Sequence, residues 1–243
     1  MKPYHIKLVH KLSEDDFDRR VQFSEELLER LALDSSLLDR IIWSDEAIFT
    51  LSETVNRHNC VYWDFENPNI VKEIDGLGSE KVMVWVGLWS EGRTGPVFFN
   101  GGVTGQRYRQ MLEDEVIPAL ILDKGEEYGS HFIFQQDGAP PHYSLTAREL
   151  LHDSFDEWIG RRGPWEWPPR SPDLTTDDFF LWGYLKDKLF ERGSSNLEDL
   201  KRVISEEFQK IPQEMIKKAC RSVKERCELC IAFEGKQLKL HKG

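Results

Sequence analysis

Apolar and polar positions change period several times along the chain, and each change marks an element. Ser13 followed by Asp16 three residues on is an N-cap signature, and Phe17, Val21, Leu27, Leu28 and Leu31 then fall on one helical face. The spacing predicts a helix over 14–33. The run RIIWSDEAIFTL over 40–51 is β-branched and aromatic and predicts a strand with acids in its middle. A second strand is expected at VNRHNCVYWDF, a loop at NPNIVKEIDGLGSE, and a strand covered on both faces at VMVWVGLW over 82–89.

GPVFFNGGV reads as another short strand and turn. Thr104 then caps a helix carrying Tyr108, Met111, Leu112, Val116 and Leu120, ending near Lys124 and Gly125. In HFIFQQDGAPPHY an apolar strand ends in Gln135, Gln136 and Asp137, and Gly138 with two prolines forces a turn. A helix near 144–151 and a short extended piece over 157–160 follow. RRGPWEWPPRSPDL is excluded from helix by its prolines. Thr175 or Thr176 is expected to cap DDFFLWGYLKDKLF. Asn196 caps LEDLKRVISEEFQKI, and Pro212 opens a last helix to about Cys230. Residues 1–12 read as irregular, and no repeats or sustained heptads appear.

The chain has 243 residues, 40% hydrophobic and 12% aromatic, enough for a folded core rather than disorder. It lacks an apolar run of about 20 residues, so a soluble, intracellular protein with no membrane contact is expected. Cys60, Cys220, Cys227 and Cys230 are too scattered for a disulfide framework. The net charge of −11, from 43 acidic and 32 basic residues, opposes nucleic acid binding through the overall field. Binding DNA would need locally concentrated basic residues, acids placed away from the DNA, neutralising metal, or a separate basic module.

Three carboxylates stand out. Asp45 lies inside an apolar strand, where an ionised group needs a metal, a cation or water; a solvent-facing strand acid is the alternative, with Glu46 as competitor. Asp137 sits at the C-terminal lip of its strand, where open α/β sheets collect ligands, although an Asx turn cap has the same sequence. Asp178, stepping by three and four, reaches Leu181, Trp182, Leu185 and Leu189, and so shares the apolar stripe of its helix. Asp173 and Asp177 beside it read as ordinary helix N-terminal acids. Oxygen donors from two strands and one helix suit Mg²⁺ or Mn²⁺, two of which support in-line displacement at phosphorus.

His142 is a candidate for a phosphate or metal contact, or else is structural. Arg161, Arg162, Trp165, Trp167 and Arg170 combine guanidinium groups and aromatics in one loop, the composition of a DNA contact or of a loop that packs its tryptophans inward. The CELC sequence at Cys227 to Cys230 is half a zinc pattern with weak partners in Cys220 and His241, and reads as packing. Lys201, Arg202, Lys210, Lys217, Lys218, Arg221 and Lys224 read as a solvated face.

WSDEAIF, FQQDGAPPH and WPPRSPDLTTDDFFLWGYLK, in that order, resemble the three catalytic blocks of mariner-type (Tc/mariner) DNA transposases. NRHNCVYW, VMVWVGL, GPVFFNG with VTGQRY, and RCELC extend the resemblance over about residues 5 to 235. It implies a ribonuclease H-like α/β fold, with a mixed sheet, flanking helices, an N-terminal linker helix and a C-terminal helical pair. It implies catalytic and metal-holding acids at Asp45, Asp137 and Asp178, two Mg²⁺ or Mn²⁺ ions, and cleavage and joining of transposon DNA with insertion at TA. A nuclear, homodimeric protein is implied as well. The organisation expected is a linker or dimer-contact segment over 1–36, the catalytic domain over 37–192 and a helical extension over 193–243.

HKLSEDDFDRR resembles the family's dimer-contact motif without its Trp, and RSPDL resembles its second motif. Thr175 and Thr176 stand where relatives carry proline. The interval from Asp137 to Asp178 is longer than in the best-known mariner group, with the extra length between His152 and Trp167. The helix-turn-helix modules of the family would precede residue 1, so specific end recognition is not expected of this sequence. Two other functions stay open: a silent transposase remnant acting as a dimerising or chromatin-binding module, and a metal nuclease of the same fold with another substrate.

Overall fold

Helix α1 (Glu14–Leu33) begins as its sequence predicts: Asp16 Oδ2 accepts from the Ser13 amide at 2.7 Å, and Glu14, Asp15 and Asp16 place negative charge in the first turn. The protein is described by a computed structural model over residues 11–51 and 80–238. The strand expected over 55–65, the loop after it, Cys60, His241 and the NRHNCVYW block lie outside the described residues.

After the short α2 (Leu37–Arg40), β1 (Ile41–Thr50) pairs antiparallel with β2 (Lys81–Trp89), and β2 pairs antiparallel with β3 (Gly92–Phe99). The next helical stretch is continuous but not uniform. It comprises α3 (Gly105–Met111), a π-turn (Leu112–Val116) and α4 (Ile117–Lys124), with Thr104 Oγ1 accepting from Arg107 N at 3.3 Å. A short 3-10 turn and α5 (Tyr128–His131) then take the place of the expected start of the next strand. Strand β4 is thereby shortened to Ile133–Gln135. Helix α6 (Leu145–Ser154), capped by Ser144, leads to β5 (Trp158–Ile159), and α7 (Trp182–Arg192), α8 (Leu197–Lys210) and α9 (Gln213–Ala232) complete the chain. The strands form one mixed sheet in the order β3-β2-β1-β4-β5, with β4 and β5 parallel to β1.

Side-chain alternation along a strand gives this sheet two buried faces. Ile41 and Trp43 join Val84, Val86 and Leu88 on one side, against α1 and α7 to α9. Ile42 joins Trp85 and Phe134 on the other, against α3, α4 and α6. The ribonuclease H-like arrangement expected from the sequence is thus observed: a central mixed sheet with helices on both faces. None of the described helices is long and apolar enough to cross a membrane.

Candidate active site

Where β1 loses its neighbour, its acids become available. Strand β4 pairs with β1 only at Ile41 and Ile42, and the contact closes with Ser44, whose Oγ donates to Gln135 O at 2.6 Å and whose amide donates to Gln135 Oε1 at 3.2 Å. Beyond that point Asp45 and Glu46 still pair with β2 but have an open side. Both line a cavity of about 490 Å³, together with Asp137, Arg170, Thr175 and Asp178. The three predicted acids therefore share one cavity. Among the described residues, no three His, Cys, Asp or Glu side chains stand together as a ready metal-ligand set.

Asp45 is half-buried, and its Oδ2 accepts from Trp182 Nε1 at 2.8 Å. Loss of water and the charges of Asp178 and Glu46 nevertheless push its carboxyl well above the usual range, and the indole bond only partly opposes this. Asp178 is raised to about 7 by desolvation in the cavity, by Asp137 and by Asp173. Its side chain is exposed to the cavity, so solvent tempers that rise.

Asp137 behaves oppositely. Burial would raise it, but the hydrogen bond and charge of His142 and the Ala139 amide hold it below its ordinary value. Its Oδ1 accepts from Ala139 N at 2.8 Å and meets His142 Nδ1 at 2.5 Å, while His142 Nε2 meets Glu46 Oε1 at 3.0 Å. Burial alone would lower His142; the Glu46 charge and the hydrogen bonds of both acids raise it to about 10, so the ring is an imidazolium that donates from both nitrogens. Glu46, the expected competitor of Asp45, is thus tied to His142. The DE doublet and the His after the two prolines were visible in sequence, but their pairing across 96 residues was not.

The segment carrying Asp178 departs from its expected form. Thr176 is helical and makes no capping bond, and Asp177–Leu181 form a π-turn in which the Trp182 amide donates to Asp177 O. The extra residue shifts the helical register. Asp177, not Asp178, falls in line with the buried Leu181, Trp182, Leu185 and Leu189, and Asp178 is exposed to the cavity. The Asp177 carboxyl is fully buried with Oδ1 unpaired, and desolvation with the charges of Asp45 and Asp178 drives it well above its ordinary range.

The two tryptophans expected to contact DNA are placed elsewhere. Trp165 is 1% exposed, stacks on Phe23 and lies under the Arg30 guanidinium at 4.2 Å, and Trp167 packs on Phe23 and Trp43. The apolar side of α1 claims both rings, so the tryptophans anchor the loop. His142, 4% exposed and held by two acids, is likewise closed off from DNA in this arrangement. Arg161, Arg162 and Arg170 remain exposed. Arg161 and Arg162 sit over the Tyr143 ring at 4.2 and 5.6 Å, with Arg161 beside Gly138, and Arg170 is the single cation lining the cavity among the described residues. Cys220, Cys227 and Cys230 are buried free thiols in the core. Of the remote basic residues, Lys201, Arg202, Arg221 and Lys224 pair with acids at the surface, and Lys210 pairs with the buried Glu207.

No protein-family model matches the chain. It is similar to the Tc3 transposase of Caenorhabditis elegans, 26% identical over 200 residues that cover 81% of this chain and 56% of that protein. It is also similar to the Mariner Mos1 transposase of Drosophila mauritiana, 28% identical over 241 residues that cover 94% of this chain and 65% of that protein. The chain therefore spans less than two thirds of the length of either relative. Among solved structures, the Mos1 mariner paired end complex with Mn superposes with a TM-score of 0.82 at 25% identity, covering 98% of this chain and 68% of that one. In sequence and in fold the chain is similar to mariner-type transposases, and it has the ribonuclease H-like fold of the Mos1 structure.

Proposed function

We propose that this chain is the catalytic part of a DNA transposase, which cleaves and joins transposon DNA by metal-dependent phosphoryl transfer through Asp45, Asp137 and Asp178. The observation that carries this reading is electrostatic. Carboxylates from three separate segments line one cavity, and two of them are held toward the neutral form by lost water and mutual repulsion, a strain that a divalent cation would relieve. The donors are all oxygens, which suits hard ions, and solved Mos1 structures are described with Mn and with Mg. Two such ions, when bound, would generate the oxygen nucleophile and stabilise the leaving oxygen.

The protein's own groups set up that site. Trp182 fixes Asp45 Oδ2, and His142 with the Ala139 amide occupies Asp137 Oδ1, which leaves Oδ2 for a cation. Arg161 and Arg162 near the Asp137 turn supply the local positive charge that an acidic chain needs to hold phosphates, whereas Arg170 at the rim is paired with Asp16 of α1. The substrates proposed are transposon ends and a TA target. Assembly is proposed as a homodimer and location as the nucleus; the paired end complex of Mos1 supports the DNA partner and agrees with a dimer.

The test is nicking of plasmid and joining of pre-cleaved transposon-end DNA in Mn²⁺, comparing the chain with Asp137→Ala. Mn²⁺-dependent products from the native sequence alone are expected. Equal yields from both would reject the enzyme and leave the interaction-module alternative.

A further inference from the structure

The acid that enters the cavity on α7's π-turn is gripped on both sides by arginines from outside the cavity. On its N-terminal side, Arg20 of α1 is fully buried and chelates Asp173 through Nη1 to Oδ1 at 2.8 Å and Nη2 to Oδ2 at 2.6 Å, while its Nε donates to Gly235 O at 2.7 Å. The Leu238 amide adds a bond to Asp173 Oδ2 at 2.8 Å. From α9, Arg226 Nη1 donates to the Asp173 carbonyl at 2.9 Å, and its guanidinium carbon lies 3.6 Å from the centre of the Phe179 ring, the residue directly after Asp178. Asp173 also lies close enough to Asp178 to repel its charge. Arg20 thus ties the Asp173 side chain to α1 just before the π-turn and offsets part of an acid charge that still reaches Asp178, while Arg226 holds the Asp173 backbone.

We propose that Arg226 and Arg20 are positioning residues for Asp178: together they clamp the segment 173–179, and the clamp sets how well the third carboxylate engages a divalent cation. This rests on the metal reading given above. A bidentate buried guanidinium–carboxylate pair is directional as well as strong, and a planar cation on a ring fixes that ring's orientation. Neither arginine lines the cavity, so their effect on a cation passes through the backbone they hold.

The experiment is a Mn²⁺ titration of the whole chain, following free Mn²⁺ by electron paramagnetic resonance, with circular dichroism and a metal-free melt on the same samples. Asp178→Asn is the control for the metal reading. If it binds Mn²⁺ like the native chain, that reading falls and the clamp falls with it. Given a loss in Asp178→Asn, Arg226→Met is expected to weaken Mn²⁺ binding about tenfold, the lower end for residues that orient a metal ligand, with a native spectrum and melt. Arg226→Lys, which keeps the donor but loses the planar stack, is expected between the two.

Because Arg20 alone leaves a buried charge, it is replaced together with its partner, as Arg20→Met with Asp173→Leu. This pair of changes should recover a native melt while Mn²⁺ affinity stays low. Affinity within twofold of native in both Arg226→Met and the double variant would overturn the clamp. So would a loss of affinity that merely tracks a loss of folded signal, because that is a structural effect.

Discussion

Replacing His142 by Leu isolates the charge arithmetic of the cavity. The ring lies buried between Asp137 Oδ1 at 2.5 Å and Glu46 Oε1 at 3.0 Å, so the change strands two acids at once. Two charge-assisted hydrogen bonds at about 1.5–3 kcal/mol each give about 3–6 kcal/mol; the Asp137 side chain is part-exposed, so solvent screens its share, and a loss of about 3–5 kcal/mol is expected. A fall of roughly 2–4 °C per kcal/mol then lowers the melting temperature by about 6–20 °C. The sign of the pH dependence follows from linkage. The His142 pKa rises from 6.5 to about 10 on folding, so its stabilisation is complete below pH 6.5 and disappears as pH climbs through 10. Asp137 is lowered, so its share exists above its ordinary pKa of 3.8 and is lost as pH falls below that. Urea denaturation in EDTA from pH 3.5 to 10 should show the widest gap between native chain and variant at about pH 4 to 6.5, narrowing on either side. A gap below about 1 kcal/mol, or one that stays flat to pH 10, would refute an imidazolium between two carboxylates.

Other expectations follow from the same geometry. Asp177→Asn removes a buried acid whose folded pKa lies above its unfolded value, a group whose penalty grows as pH rises past 3.8; a gain of about 1–3 kcal/mol at pH 7 and none at pH 3 is expected by denaturant melts. Gly235→Ala should cost about 1–3 kcal/mol, because the residue sits at φ +75° and a Cβ there would lie 2.3 Å from Phe17 O; equal midpoints in urea would contradict it. Mn²⁺ at a hundred times its dissociation constant should stabilise the chain by about 2.7 kcal/mol in calorimetry, and Asp45→Asn should abolish that increment.

Elements whose signal is local could be read from the chain. Ser13 with Asp16 defined the start of α1, Asn196 that of α8, and the double proline placed Asp137 at a strand lip. Signals that depend on partners far along the chain could not. Trp165 and Trp167 look like a nucleotide platform until the apolar face of α1 covers them, and Glu46 looks like a rival ligand until His142 claims it. The π-turns were missed for another reason. A count in steps of three and four assumes an unbroken helix, and the single residue added within Asp177–Leu181 is enough to exchange the places of Asp177 and Asp178.

That added residue also bears on how the family's third acid tolerates change. The π-turn takes up one residue within a single wider turn, and its closing bond runs from the Trp182 amide to Asp177 O. Removing a position between 178 and 181 would make Trp182 the ordinary helical partner of Asp177, restoring regular winding while Asp177 keeps its place relative to the apolar stripe beyond. The turn thus lets the chain take up a one-residue change of length where its helix meets the sheet.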